Sequence, residues 1–186
     1  MAGRERGWPV SLMVIGESYV GTGGNAAHIN TVLGRRDGPV GTAWVTALAT
    51  PRAGFAPFVA IAQPGVAVIP PTLFVNKAAI AGDLHGNLTW GAAQAGVARG
   101  AGLALEEGVI DRGQAGELVL IAAVWVNPAA DDETAVYENN VTATLQALRN
   151  GKAGGPGVDE FLAAARAPFN PFFECSVPPT PPPRPI

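Results

Sequence analysis

Sulfur chemistry is nearly absent from this sequence: one cysteine, Cys175, and two methionines are all it holds. Without a second thiol there is no internal disulfide and no thiolate metal cluster, the pattern of a protein of the reducing cytoplasm. Basic charge is equally scarce. Lysine and arginine together number 12 against 15 acidic residues, a formal net charge of -3, and the one tight basic cluster is Arg35-Arg36. A chain that grips phosphate backbones carries a basic stripe, so nucleic acid is not an expected partner. A long unbroken apolar run is also missing. Residues 54–76 are uncharged but interrupted by Pro57, Pro64, Pro70 and Pro71, whereas a spanning helix needs about 20 mostly apolar residues with regular backbone pairing. The apolar run 10–15 is shorter than the core of a signal peptide.

What is present is apolar and small. Hydrophobic residues make up 48% and charged residues 15% of the 186, which excludes a disordered chain and suits one domain with a full core. Three zones follow from composition. Residues 1–9 read as a frayed leader, residues 10–173 as a single domain, and residues 174–186 as a Pro-rich disordered tail that lacks the donors for helix or sheet.

Period-two alternation marks strands. In residues 25–33, Ala26, His28, Asn30 and Val32 share one face, and Ala27, Ile29, Thr31 and Leu33 the other. Residues 72–80 place Leu73, Val75, Lys77 and Ala79 on one side. Residues 118–126 are almost wholly apolar, the pattern of a central strand buried on both faces. A shorter strand is expected at 58–62. Helices are expected at 40–49, 82–107 and 131–149. The last opens on Asp131, Asp132 and Glu133, where the helix dipole favours anions, and closes on Arg149 before Asn150-Gly151. The middle one contains Gly86, Gly91, Gly96, Gly100 and Gly102. Each glycine costs about 1 kcal/mol relative to alanine, so tight packing against a neighbour must stabilise it. The expectation is an α+β fold, one sheet of about four strands with helices mainly on one face.

Candidates for chemistry are few. The histidines are His28 and His85, the lysines Lys77 and Lys152. His28 follows the turn-forming loop GTGGN and shares a strand face with Asn30, so both can point at one ligand. An imidazole titrates near 6.5 and can give and recover a proton at neutral pH. Lys77 closes an apolar strand and suits anion binding or, desolvated, carbonyl chemistry. A merely hydrogen-bonded strand histidine and a snorkelling terminal lysine are the plainer alternatives. GTGGN lacks the Lys-Ser/Thr ending of a phosphate-binding loop and precedes a strand. Asp131-Asp132 is accounted for by the helix dipole without a metal.

Five ordered blocks, GNAAHIN, GFAPFVAIAQP, TLFVNKAAI, GAAQAGVARGAGLALEEGVI and VWVNPAADD, resemble those of formaldehyde-activating enzymes over residues 16–151, with an echo at Asn170-Pro171-Phe172. The resemblance implies condensation of formaldehyde with tetrahydromethanopterin to methylene-tetrahydromethanopterin and water, without metal or redox cofactor. It implies a ribosomal-domain-like fold with a left-handed β-α-β crossover, and a cytoplasmic homopentamer with the pterin between subunits. His28 falls on the family's proton donor, and Asn30, Val59, Lys77, Ala79 and Gln94 on its pterin-contacting positions. Asn30, Ala79 and Val59 stand where the family has aspartate, threonine and leucine. Asparagine cannot carry a charge beside His28, which leaves open a non-catalytic pterin- or aldehyde-binding homologue, or an enzyme for another amine carrier.

Overall fold

The computed structural model describes residues 13–173; the leader and the Pro-rich tail, Cys175 included, lie outside them. Strand β1 (Val14–Val20) leads through a 3-10 turn into β2 (Ala27–Arg35) and helix α1 (Pro39–Ala49). Three short strands follow, β3 (Phe58–Val59), β4 (Ile61–Gln63) and β5 (Val66–Ala67), and then β6 (Thr72–Asn76). Helix α2 (Asp83–Asn87) runs through a π-helical turn (Leu88–Ala93) into α3 (Gln94–Glu106). Strand β7 (Leu118–Val126), helix α4 (Glu133–Ala153) and the short α5 (Val158–Ala164) complete the chain.

The fold is α+β. The main sheet has the order β1-β2-β7-β6-β3, so five strands rather than about four, and β4-β5 forms a separate hairpin. The apolar run at 58–62 supplies strands to both because the buried Ala60 bridges them: its N–H donates to Thr72 O of β6 at 2.8 Å, and its C=O accepts from Val68 N–H beside β5 at 3.0 Å. Only β6 and β7 run parallel, joined by the α2–α3 crossover; the other neighbours are antiparallel.

One face of this sheet is the core. Ala27, Ile29, Leu33, Phe74, Leu120, Ala122 and Val124 pack with Val97, Ala101 and Ala104 of α3 and with Val136, Ala143 and Ala147 of α4. Helix α1 sits at one end of the opposite face, where Val40 occupies the space that a side chain at Gly34 would take. The glycines of the middle helix have the expected use. A Cβ at Gly100 would lie 2.6 Å from Thr144 Cβ, and one at Gly96 2.7 Å from Asn140 Cβ, so the α3 backbone lies directly on α4.

Three further expectations change. Strand β7 is not buried on both faces: Ile121, Ala123 and Trp125 are only half-buried, because the sheet face they share with His28 and Asn30 is left largely open by the helices. Strand β6 ends at Asn76 rather than Ile80, because the Asn76 amide donates to Gly54 O and Ala78 O and turns the chain. Helix α4 also outlasts its expected end at Arg149. The Asn150 amide donates to Glu17 O at 2.8 Å, fastening the last turn to β1, and the helix stops at Gly154 with φ 92.

Candidate active site

The open face of the sheet carries the polar cluster. In the β1–β2 register Glu17 lies opposite Asn30 and Tyr19 opposite His28; in the β2–β7 register Trp125 lies opposite His28. Alternation therefore aims Glu17, Tyr19, His28, Asn30 and Trp125 to the same side. Lys77 arrives from the end of β6, where its N–H donates to Val124 O at 2.8 Å and holds the residue beside β7.

Lys77 Nζ lies 3.2 Å from His28 Nδ1 and donates to Asn30 Oδ1 at 2.7 Å. On its other side, His28 Nε2 lies 3.1 Å from Glu17 Oε1. An ammonium has only donors, so Nδ1 of a neutral His28 accepts from Lys77 and Nε2 carries the hydrogen, directed at Glu17. Burial holds the imidazole below its ordinary 6.5, the Lys77 charge adds to this, and the Glu17 carboxylate opposes both by charge and hydrogen bond. Burial likewise lowers Lys77 from its ordinary value, against the pull of Glu17.

The surrounding scaffold explains the placement. Before β2, Gly21 and Gly23 take φ of 85 and 65, a region open to glycine. Asn25 then clamps this loop to the start of α4: its Oδ1 accepts from the N–H groups of Asp131 and Asp132, and its amide donates to Asp131 Oδ1. Asp132 caps α4 by accepting from Ala135 N–H at 3.0 Å. After Lys77, the buried His85 accepts from Ala81 N–H and its Nε2 donates to Val126 O at 3.0 Å, pinning the chain to the end of β7. His85 is therefore a structural group.

Above the cluster is a cleft of about 1290 Å³ whose lining includes Glu17, Tyr19, His28, Lys77, Trp125 and the segment from Phe169 to Phe173. That segment folds over the sheet, with Phe172 edge-on to Trp125 at 5.4 Å between ring centres. The cleft is apolar-walled with a few convergent polar groups, the usual form of a small-molecule site.

A family profile described as formaldehyde-activating enzyme (Fae) matches residues 15–173. The chain belongs to the formaldehyde-activating enzyme family. A protein named 5,6,7,8-tetrahydromethanopterin hydro-lyase from Methanosarcina barkeri is 36% identical over 159 residues, covering 86% of this chain and 89% of that one. A "Bifunctional enzyme Fae/Hps" from Archaeoglobus fulgidus is 36% identical over 159 residues, covering 85% of this chain and 40% of that one. The chain thus spans well under half the length of the bifunctional relatives.

Of the six residues singled out from sequence, the fold brings three together, His28, Asn30 and Lys77. Val59 shares the open face but sits on the far strand, opposite Leu73. Ala79 is exposed beside Gly54, beyond the turn that ends β6. Gln94 is buried, and its amide is engaged with the backbone of Ile61 in both directions, donating at 2.9 Å and accepting at 3.3 Å. None of these three lines the cleft above His28. Sequence reasoning missed Glu17, Tyr19 and Trp125. Their shared period-two placement was visible in GESYV and VWV, but nothing local says which strands are neighbours.

Asp131 and Asp132 act within the protein, one bonded to Asn25 and one as helix cap. Among the described residues there is no group of three His, Cys, Asp or Glu placed to hold a metal ion, and no helix is long and apolar enough to cross a membrane.

Proposed function

We propose that this chain condenses formaldehyde with tetrahydromethanopterin, giving methylene-tetrahydromethanopterin and water, with His28 as the group that delivers a proton to the departing hydroxyl. The observation that carries this reading is the convergence of His28 and Lys77 at 3.2 Å in the cleft of a chain of this family. A pterin secondary amine attacks formaldehyde and forms a carbinolamine. Hydroxide leaves poorly, so the C–O bond breaks as a proton reaches its oxygen; water departs and an iminium remains. The second amine closes the ring on that iminium and gives up its own proton. A donor placed at the leaving oxygen is worth about 10²–10⁴-fold in such a step, and holding two nitrogens and an aldehyde in register contributes more. Trp125, Tyr19 and Phe172 supply flat apolar walls for a planar ring.

The protein acts in the cytoplasm with no metal or redox cofactor, and works as a homopentamer with the pterin lying between subunits. Two observations support association. Met13, Ile15, Phe161 and Phe172 leave large apolar side chains exposed. Val59, Ala79 and Gln94 lie apart from His28 within one chain, so a pocket that uses all six residues takes them from two. The crossover from β6 to β7 is left-handed in this reading.

Stopped-flow absorbance on mixing formaldehyde with tetrahydromethanopterin tests the proposal. Micromolar protein accelerates the change, and His28→Ala removes most of the acceleration. An identical trace with and without wild-type protein refutes the activity and favours the non-catalytic binder that Asn30 and Ala79 left open.

A further inference from the structure

We propose that Glu17 is the positioning residue of this site, holding His28 with its hydrogen on Nε2 so that Lys77 can refill Nδ1 as the Nε2 proton leaves. This rests on the reaction proposed above and adds to it the source and route of the proton.

The geometry is a three-residue line. Lys77 Nζ stands 3.2 Å from Nδ1, and Glu17 Oε1 stands 3.1 Å from Nε2. The two ring nitrogens are thus differentiated by their neighbours: one faces a group that only donates, the other a carboxylate that only accepts. Glu17 reaches this position through strand register. It is opposite Asn30 and one step diagonal from His28, and its backbone oxygen is anchored by Asn150. The site's charge also needs Glu17. Asn30 is neutral and engages Lys77 through its carbonyl oxygen, so Glu17 is the carboxylate that lies against the imidazole.

A neutral imidazole is too weak an acid to expel hydroxide alone. With Lys77 on the far nitrogen the step balances. A Lys77 proton moves to Nδ1 while the Nε2 proton moves to the carbinolamine oxygen; the C–O bond breaks, water leaves, and the positive charge passes from the ammonium to the iminium. Ring closure by the second amine releases a proton, which returns along the same line to neutral Lys77. Glu17 has 59% of its side-chain surface exposed against 37% for His28, so a hydroxyl can enter between them while the carboxylate stays near the developing cation. Charged and titratable groups facing His28 are Glu17 and Tyr19 from β1 and Lys77 after β6; β7 contributes Trp125, and the covering segment contributes Phe169 to Phe173.

The route makes activity require cationic Lys77 and neutral His28, a bell-shaped profile bounded by those two groups. Glu17 raises both, so Glu17→Gln shifts both limbs to lower pH.

The test combines imidazole ¹⁵N NMR of the full chain with steady-state kinetics. Wild-type His28, told apart from His85 by a His28→Gln spectrum, shows hydrogen on Nε2. Glu17→Gln, whose amide donates as well as accepts, leaves Lys77 alone to favour Nε2–H and so weakens that preference. It lowers kcat about 100-fold, the low end for a positioned proton donor, and leaves KM within a few-fold. Glu17→Asp recovers part of kcat and the Nε2 signature. A wild-type His28 hydrogen on Nδ1, or a Glu17→Gln enzyme with full kcat and unshifted limbs, overturns the role of Glu17 while the reaction stands. A wild-type protein without activity instead overturns the reaction, and the proton route with it.

Discussion

Lys77 Nζ lies 3.2 Å from Nδ1 of His28, although the two residues are 49 positions apart in the chain. The contact puts a cation against an imidazole, and its first consequence is electrostatic. Lys77→Met removes the second-largest influence that lowers His28, so the imidazole titrates at higher pH in the variant. The sign for stability follows from linkage. Between the lowered value and the ordinary 6.5, the unfolded chain binds more protons at this residue than the folded one, so stability falls as pH falls through that window. Urea midpoints between pH 5 and 7 decline less steeply for Lys77→Met. An equal slope would mean that the ammonium does not act on His28.

Gly100 and Gly102 make a matched pair on one helix. A Cβ at Gly100 would meet Thr144 Cβ at 2.6 Å and Val141 O at 2.8 Å, whereas at Gly102 the nearest atom is an Arg99 guanidinium nitrogen at 3.8 Å. Gly100→Ala forces α3 away from α4 and costs about 1–3 kcal/mol. Gly102→Ala only adds helix propensity and stabilises by up to about 1 kcal/mol. Urea denaturation of both variants reads the difference; equal effects would contradict the close approach of the helices.

Gln94 is buried and bonded to the β4 backbone within one chain. Its amide pairs with both backbone groups of Ile61, so Gln94→Leu leaves an unpaired N–H and C=O and lowers stability by about 1–3 kcal/mol. If that is its whole use, KM for the pterin is unchanged in the surviving protein. A large rise in KM without loss of stability would show instead that the amide turns to substrate.

Phe172 closes the cleft by its edge-on contact with Trp125. Phe172→Ala removes an aromatic pair worth about 0.5–1.5 kcal/mol beyond its buried area. Trp125 becomes more solvated, with a red-shifted fluorescence contribution, and KM for the pterin rises several-fold with kcat little changed. A fall in kcat alone would place Phe172 with the proton transfer rather than with the wall.

Much of the fold was legible because the signals were local. Strand β7 matches residues 118–126 since every position in that run is apolar or β-branched. The start of α4 was legible to within two residues in the acidic run Asp131 to Glu133, and the structure makes Asp132 the cap and Glu133 the first helical residue. The strand that was not legible is β1, Val14–Val20, because Gly16, Glu17 and Ser18 break its apolar pattern and its place in the sheet rests on pairing with β2. The open face of β7 was hidden for a similar reason. Ile121 and Trp125 are as apolar as buried residues, and their exposure depends on where the helices stop.

The division at the site is sharper. From residues alone came the face shared by His28 and Asn30, the scarcity of imidazole and ammonium groups, and the family blocks. These are properties of sequence order, set by the alternation of a strand and by composition. Tertiary structure alone decided that Glu17 and Lys77 reach opposite nitrogens of one ring, and that Gln94 points elsewhere. The β1–β2 register sets the Glu17 distance and the β2-β7-β6 strand order brings Lys77 across the sheet, and register is fixed only when the hydrophobic face of the whole sheet is buried at once.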